Sequence, residues 1–241
     1  MKIIEFIHDD AHPEESNIDL WVKKNSFSTK KVYIYKNSDL PDYSSYDLLL
    51  LHGGAQHLWA KADYPWLKKE IAYVKKTLEL KKPVIGFCLG SQILAEALGS
   101  NVFKADISEI GWYGITPRLQ SKKNTLLYGL EDGFETFLWH SDHYHLPANC
   151  ESLAFTKAAQ HQIFVSTIYP AVAYQFHPEY TKEIISHYCE TFYDSDWKGI
   201  VGDGDKDIFL QGLERRTDTL PLFEELMTNA LDWFSVKFTT R

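Results

Sequence analysis

Cys88 stands between the apolar run Val84-Ile85-Gly86-Phe87 and a run in which Ile93, Leu94, Ala97 and Leu98 recur at helical spacing. That pattern puts a cysteine at the tip of a sharp strand-to-helix turn, with Gly86 and Gly90 two positions away on each side, where a side chain would crowd it. The setting is that of a nucleophile elbow. The helix predicted to begin at Leu89 directs the partial positive charge of its N-terminus toward this residue, which favours a thiolate. Free cysteine also fills protein cores without reacting, so the elbow needs partners before it implies chemistry. The stretch Tyr174-Gln175-Phe176-His177-Pro178-Glu179-Tyr180 offers them. His177 ends an apolar strand that Pro178 forces the chain to leave. Glu179, two residues on, is near enough to hold one imidazole nitrogen while the other faces the thiol. A nucleophile, a base and an orienting acid can together open an acyl compound through a covalent thioester.

A third feature is His52-Gly53-Gly54-Ala55, which follows directly on the apolar run 47–51. Ligands of open α/β sheets bind beyond the carboxyl ends of the strands. The N–H of Gly54, paired with that of Leu89, would there form an oxyanion hole. Taken alone, the two glycines equally describe a plain turn.

The elements that must hold these residues follow from periodicity. Residues 2–7, 30–35 and 47–51 read as strands, with a helix over 17–24 and another over about 65–80, where Leu67, Ile71, Val74 and Leu78 share one face. Strands alternating with helices predict an α/β fold with an open, mostly parallel central sheet covered on both faces. From Asn101 to Tyr174 short strands with turn signals replace helical periodicity, which predicts a small antiparallel insertion whose last strand returns to the main sheet. Two amphipathic helices, near 180–193 and 221–236, close the chain. No repeat, low-complexity tract or composition break divides it, so residues 1–241 read as one domain with a C-terminal helical extension over about 194–241.

Two motifs in this order, Gly86-Phe87-Cys88-Leu89-Gly90-Ser91-Gln92 and Gln175-Phe176-His177-Pro178-Glu179, resemble the nucleophile and histidine–glutamate motifs of the class I glutamine amidotransferases. The likeness extends over about residues 40 to 180. It is nearest to free-standing proteins similar to the amidotransferase part of GMP synthase, which 109–112 and 139–147 also resemble. The resemblance implies a flavodoxin-like fold, Cys88 as nucleophile, His177 as general base and acid, and Glu179 as orienter. It also implies that Gly53, Gln92, Ser141 and Asp142 contact the glutamine substrate, the last two through their backbone. Ala55 and Gln56 stand where the family usually has proline after the paired glycines, and Ser141 replaces the glycine of its His-Gly-Asp turn. Both departures fall in loops of the glutamine site. No cofactor is required by this chemistry. Members of the family pass ammonia to a synthetase, for which this chain shows no phosphate-binding loop. The readings left are an amidotransferase with a partner synthetase, a stand-alone glutaminase or γ-glutamyl hydrolase, and a non-catalytic binding subunit with the same fold.

Other signals are weaker. His140, His143 and His145 fall within six residues, but on a strand only the last two would share a face and no cysteine lies nearby. They are expected to be loop residues bordering the glutamine pocket, with no metal. Asp203, Asp205, Asp207 and Glu214 have the offsets of a calcium loop, yet Ile208 stands where the sharp turn needs glycine, so an exposed acidic turn is expected. A net charge of −8, from 25 basic and 33 acidic residues, argues against nucleic acid or an anionic membrane as partner. No apolar run reaches membrane-spanning length. The N-terminus turns acidic too soon for a signal peptide, and three cysteines form no disulfide framework, which suits the cytoplasm.

Overall fold

The computed structural model describes residues 1–10, 15–36, 38–192 and 218–238. Its elements in chain order are β1 (Lys2–Ile7), α1 (Asn17–Lys24), β2 (Ser28–Tyr33), β3 (Leu48–Leu51), α2 (Pro65–Glu79), β4 (Val84–Phe87), α3 (Leu89–Ala97), β5 (Val102–Pro117), β6 (Phe134–Tyr144), β7 (Cys150–Phe155), β8 (Ile163–Ser166), β9 (Ala171–Tyr174), α4 (Lys182–Phe192) and α5 (Leu220–Phe238). Local chemistry accounts for several boundaries. Ser16 and Asp19 form a reciprocal capping box at the start of α1. Pro65 opens α2, where its missing N–H costs no helical hydrogen bond.

The nine strands form one sheet in the order β2-β1-β3-β4-β9-β8-β7-β5-β6. From β2 to β9 every neighbouring pair is parallel, and the order is the doubly wound one of flavodoxin-like sheets. From β9 onward every pair is antiparallel. The expectation of a mostly parallel sheet with a small antiparallel insertion is therefore corrected: the sheet is mixed, and its antiparallel part is as extensive as its parallel part. The reason is local. A parallel pair needs a crossover of a dozen or more residues, usually a helix. Between β5 and β9 the chain contains no α-helix, so its strands pair antiparallel instead.

The inner strands of the parallel half, β1, β3, β4 and β9, are buried on both faces, while the edge strand β2 is mostly exposed, and the buried residues alternate between two cores. Leu48, Leu50, Ile85 and Phe87 face α1 and α5, meeting Ile18 and Trp21 on one helix and Phe223, Met227 and Trp233 on the other. Leu49, Leu51 and Val84 face α2 and α3, meeting Leu67, Val74, Ile93 and Leu94. Such four-residue apolar strands are what burial on two faces demands. The helix at the C-terminal end is thus a wall of the core. A third cluster seats Ile184, Ile185 and Cys189 of α4 against Ile110 of β5 and Phe137 of β6. No helix among the described residues is long and apolar enough to cross a membrane. The acidic stretch 203–214 lies outside the described residues.

Candidate active site

Cys88 occupies the turn between β4 and α3 with φ +46° and ψ −107°, a conformation that side chains rarely adopt. Strain of this kind persists only where the surroundings over-determine it. Here they do. A β-carbon on Gly86 would overlap the Gly90 carbonyl, and one on Gly90 would overlap the Leu51 carbonyl of β3. The two glycines let α3 start hard against the sheet, and the Cys88 N–H donates to the Tyr174 carbonyl at 2.8 Å. The side chain is 5% exposed. Its Sγ lies 3.7 Å from the Trp139 carbonyl oxygen and 3.9 Å from Nε2 of the buried Gln175.

His177 follows β9, adjacent to β4, and so arrives beside the elbow. Its Nδ1 donates to Glu179 Oε1 at 2.8 Å, which leaves Nε2 for Cys88. Burial pushes the imidazole toward neutrality, but the charges of Cys88 and Glu179 and their hydrogen bonds outweigh it and raise its pKa to about 10. The ring stacks on Tyr180 with centroids 4.1 Å apart, and the His177 N–H donates to the Phe137 carbonyl. The turn that carries Glu179 is pinned from α1: the Asn17 N–H donates to the Glu179 carbonyl and Asn17 Nδ2 to the Pro178 carbonyl, both at 2.9 Å. Neither Asn17 nor Tyr180 stands out in the sequence, because their roles depend on contacts across roughly 160 residues or on ring stacking.

The glycines after β3 meet the same centre. A β-carbon on Gly53 would come within 2.7 Å of His177 Cε1, and one on Gly54 within 2.7 Å of Leu89 Cδ2 and 2.8 Å of His8 Cβ. Close backbone approach therefore requires glycine at both positions. Behind them His8 hydrogen-bonds the Gly53 carbonyl through Nδ1 at 3.1 Å and Glu70 through Nε2 at 2.9 Å. Burial opposes protonation of His8, while the Glu70 carboxylate raises its pKa. This brace is silent in sequence, since His8 and Glu70 are 62 positions apart.

A cavity of about 490 Å³ opens over these groups, with Cys88, His177, Gly54, Gln92, Ser141 and Asp142 on its walls. Gln92, one turn into α3, points Nε2 toward the Asp142 carbonyl at 3.5 Å. The Asp142 carboxylate accepts from His57 Nδ1 at 2.8 Å and Trp59 Nε1 at 3.0 Å, so its side chain is committed to the protein. His57 and Trp59 are half-exposed aromatics in the loop beyond Ala55 and Gln56, where no motif marks them. Gly53 and Leu89 are not among the residues lining the cavity, though Gly53 lies against His177 and Leu89 against Gly54.

His140 and His143 lie on β6, which corrects their expected place in a loop, while His145 follows the end of the strand, outside regular structure as expected. His140 borders the main cavity, while His143 and His145 border a second cavity of about 300 Å³. His140 and His143 do come together, with ring centroids 5.3 Å apart, contrary to strict alternation. The pairing of β5 with β6 shifts register between Lys104 and Glu109, and facing is not preserved across such an irregularity. His143 and His145 both also meet Phe103, with ring centroids 6.3 and 4.8 Å away. Burial and the neighbouring His140 lower the His143 pKa to about 4.

Comparison with known proteins bears on the family and the fold. The family model for glutamine amidotransferase class-I matches residues 15–194. The glutamine amidotransferase-like protein YfeJ of Salmonella typhimurium is 26% identical over 191 residues, covering 75% of this chain and 79% of that protein. A glutamine-hydrolysing GMP synthase subunit of Methanocaldococcus jannaschii is 30% identical over 132 residues, covering 52% of this chain and 69% of that one. Among solved structures, a glutamine amidotransferase from Thermotoga maritima superposes with a TM-score of 0.82 at 24% identity, covering 97% of each chain, and so shares the fold. With about three quarters of its length matched by the family model, the chain belongs to the class I glutamine amidotransferase family.

Proposed function

We propose that this protein hydrolyses the side-chain amide of glutamine through a cysteine thioester. The observation that carries the reading is the buried hydrogen bond from His177 to Glu179 beside a strained elbow cysteine. The Cys88 sulfur, as thiolate, attacks the amide carbon of glutamine. The oxygen that becomes anionic is met by the N–H groups of Gly54 and Leu89; Leu89 is the first residue of α3, so its N–H has no partner within the helix. Collapse of the tetrahedral adduct breaks the C–N bond while the His177 imidazolium gives its proton to the nitrogen, and ammonia leaves. Neutral His177 then takes a proton from water, the hydroxide attacks the thioester carbon, and glutamate departs as the thiolate and imidazolium are restored. Glu179 holds the imidazole in one orientation throughout, as in the serine-based triads. Gln92 and the backbone at Ser141 and Asp142 grip the amino-acid end.

The name of the Methanocaldococcus jannaschii relative, one subunit of a glutamine-hydrolysing synthase, supports delivery of the ammonia to a synthetase partner. One observation favours a second reading, a γ-glutamyl hydrolase acting alone. The cavity, at about 490 Å³, falls within the roughly 300–1,000 Å³ range of small-molecule sites, a volume that accommodates a ligand larger than glutamine. A side-by-side assay of purified protein on glutamine and on γ-glutamyl peptides separates the two. Measurable glutaminase activity, rising when a partner synthetase is added, supports the amidotransferase. Efficient peptide cleavage with negligible glutaminase activity overturns it in favour of the hydrolase.

A further inference from the structure

Glu109 of β5 and His140 and His143 of β6 each bring one potential ligand atom into a group whose members all lie within 4.8 Å of one another. Glu109 is 1% exposed and His140 4%. Within the described residues, both ring nitrogens of His140, Nε2 of His143 and Oε1 of Glu109 are buried and make no hydrogen bond. Buried polar atoms without partners are rare and costly, and several in one place require an explanation. The contact between His140 Nε2 and Glu109 Oε2 points to one. The atoms are 3.2 Å apart, close enough to pair, yet they are misaligned for a hydrogen bond.

From this arrangement we propose that Glu109, His140 and His143 bind a divalent ion of the zinc class, tying β5 to β6 across the register shift. Two imidazoles and one carboxylate are a common three-ligand set for zinc, with a fourth position left for water or another ligand. Bonds of about 2.0–2.1 Å place tetrahedral donors roughly 3.3 Å apart, so the three side chains need to close by about an ångström. His143 is only partly buried and borders the 300 Å³ cavity, so its ring is not locked by packing on every side. The carboxylate is already oriented: Gln162 Nε2 donates to Glu109 Oε2 at 2.7 Å and is itself held by Thr156 Oγ1 at 3.1 Å. Such outer contacts accompany genuine metal ligands. Ser141 and Asp142 lie between the two histidines, so an ion here fixes the wall of the main cavity without touching the reacting atoms. The site is independent of the activity proposed above.

The test is zinc binding to the full chain carrying Cys88→Ser, which removes the thiol that faces the buried imidazole of His177 and could itself hold zinc. Calorimetry with zinc chloride is expected to show one equivalent bound with Kd in the micromolar range or below, lost in His143→Gln. A hundredfold excess over Kd is expected to raise the melting temperature by roughly 5–10 °C. Should His143→Gln fail to fold, imidazole NMR of the otherwise intact chain decides: one equivalent of zinc shifts the resonances of both His140 and His143. Binding that leaves those two histidines unmoved, or persists undiminished in a folded His143→Gln, overturns the proposal. No binding at about 100 μM zinc, well above the Kd expected of such a ligand set, does the same.

Discussion

The two halves of the sheet do different work under different constraints. In the parallel half, β3, β4 and β9 are four-residue apolar strands whose carboxyl ends deliver the paired glycines, the elbow cysteine and the histidine to one point. Backbone contacts that only glycine allows fix their spacing. In the antiparallel half, β5 and β6 are long, partly exposed and out of register over several residues, and they supply a wall of the main cavity. Reacting groups tolerate little displacement, since an error of about an ångström in their geometry costs about a hundredfold in rate. A binding wall tolerates more. The half that carries the proposed nucleophile and base is accordingly the half whose strands are more fully buried.

The contrast can be broken at several points, beginning with the largest effect. Cys88→Ala and His177→Ala are each expected to lower glutamine hydrolysis by about ten-thousandfold or more. Glu179→Gln is expected to cost less, because an amide can still accept from Nδ1 without stabilising the imidazolium. Steady-state ammonia release measures all three, and full turnover in Glu179→Gln removes Glu179 from the account. Next in size is the titration of His177. Its pKa of about 10 lies above the ordinary value, so its contribution to stability is complete below about pH 6.5 and is lost as pH rises toward 10. Imidazole NMR should find it protonated at about pH 8, and Cys88→Ser should bring the titration down, since the Cys88 charge is the larger of its two raising partners.

Packing gives the next comparison. Gly86→Ala is expected to destabilise the fold by about 1–3 kcal/mol, because the added methyl overlaps the backbone of α3. Gly114→Ala in β5 meets open space and is expected to be neutral or to stabilise by about 0.4–1 kcal/mol. Denaturant melts of the two variants compare the halves directly, and equal losses would show that they are equally tight. The smallest effect belongs to the wall itself. Asp142→Ala frees His57 and Trp59 and is expected to raise KM about tenfold with little change in kcat. A loss in kcat alone would place Asp142 in the chemistry.

What can be read from the sequence follows the same division. The elements of the parallel half are short apolar runs punctuated by Gly, Pro and helical periodicity, and each catalytic candidate sits at a strand end, where a local motif suffices to find it. Helix α5 is legible as an amphipathic segment, although its place as the second cover of Leu48, Leu50 and Phe87 is not. The extent of the antiparallel half is hidden because short strands with turns between them look like an insertion until their pairing is known. The facing of His140 and His143 is hidden for a related reason. Alternation holds only where register does, and the irregularity opposite Glu109 leaves no mark in the sequence. The braces from His8, Asn17 and His57 are invisible because each is a polar residue whose partners lie 45 or more positions away.

The central claim is that Cys88 alone among the three cysteines is an activated nucleophile in a glutamine-shaped site. Burial pushes the Cys150 thiol up to about 12, and Cys189 is enclosed at 1% exposure between α4 and the sheet. The most direct measurement is labelling of the intact protein with a diazo-ketone analogue of glutamine, followed by peptide mapping by mass spectrometry. The account predicts a single adduct, on the peptide bearing Cys88, that free glutamine suppresses and His177→Ala slows. Adducts on Cys150 or Cys189 with Cys88 unmodified would contradict it.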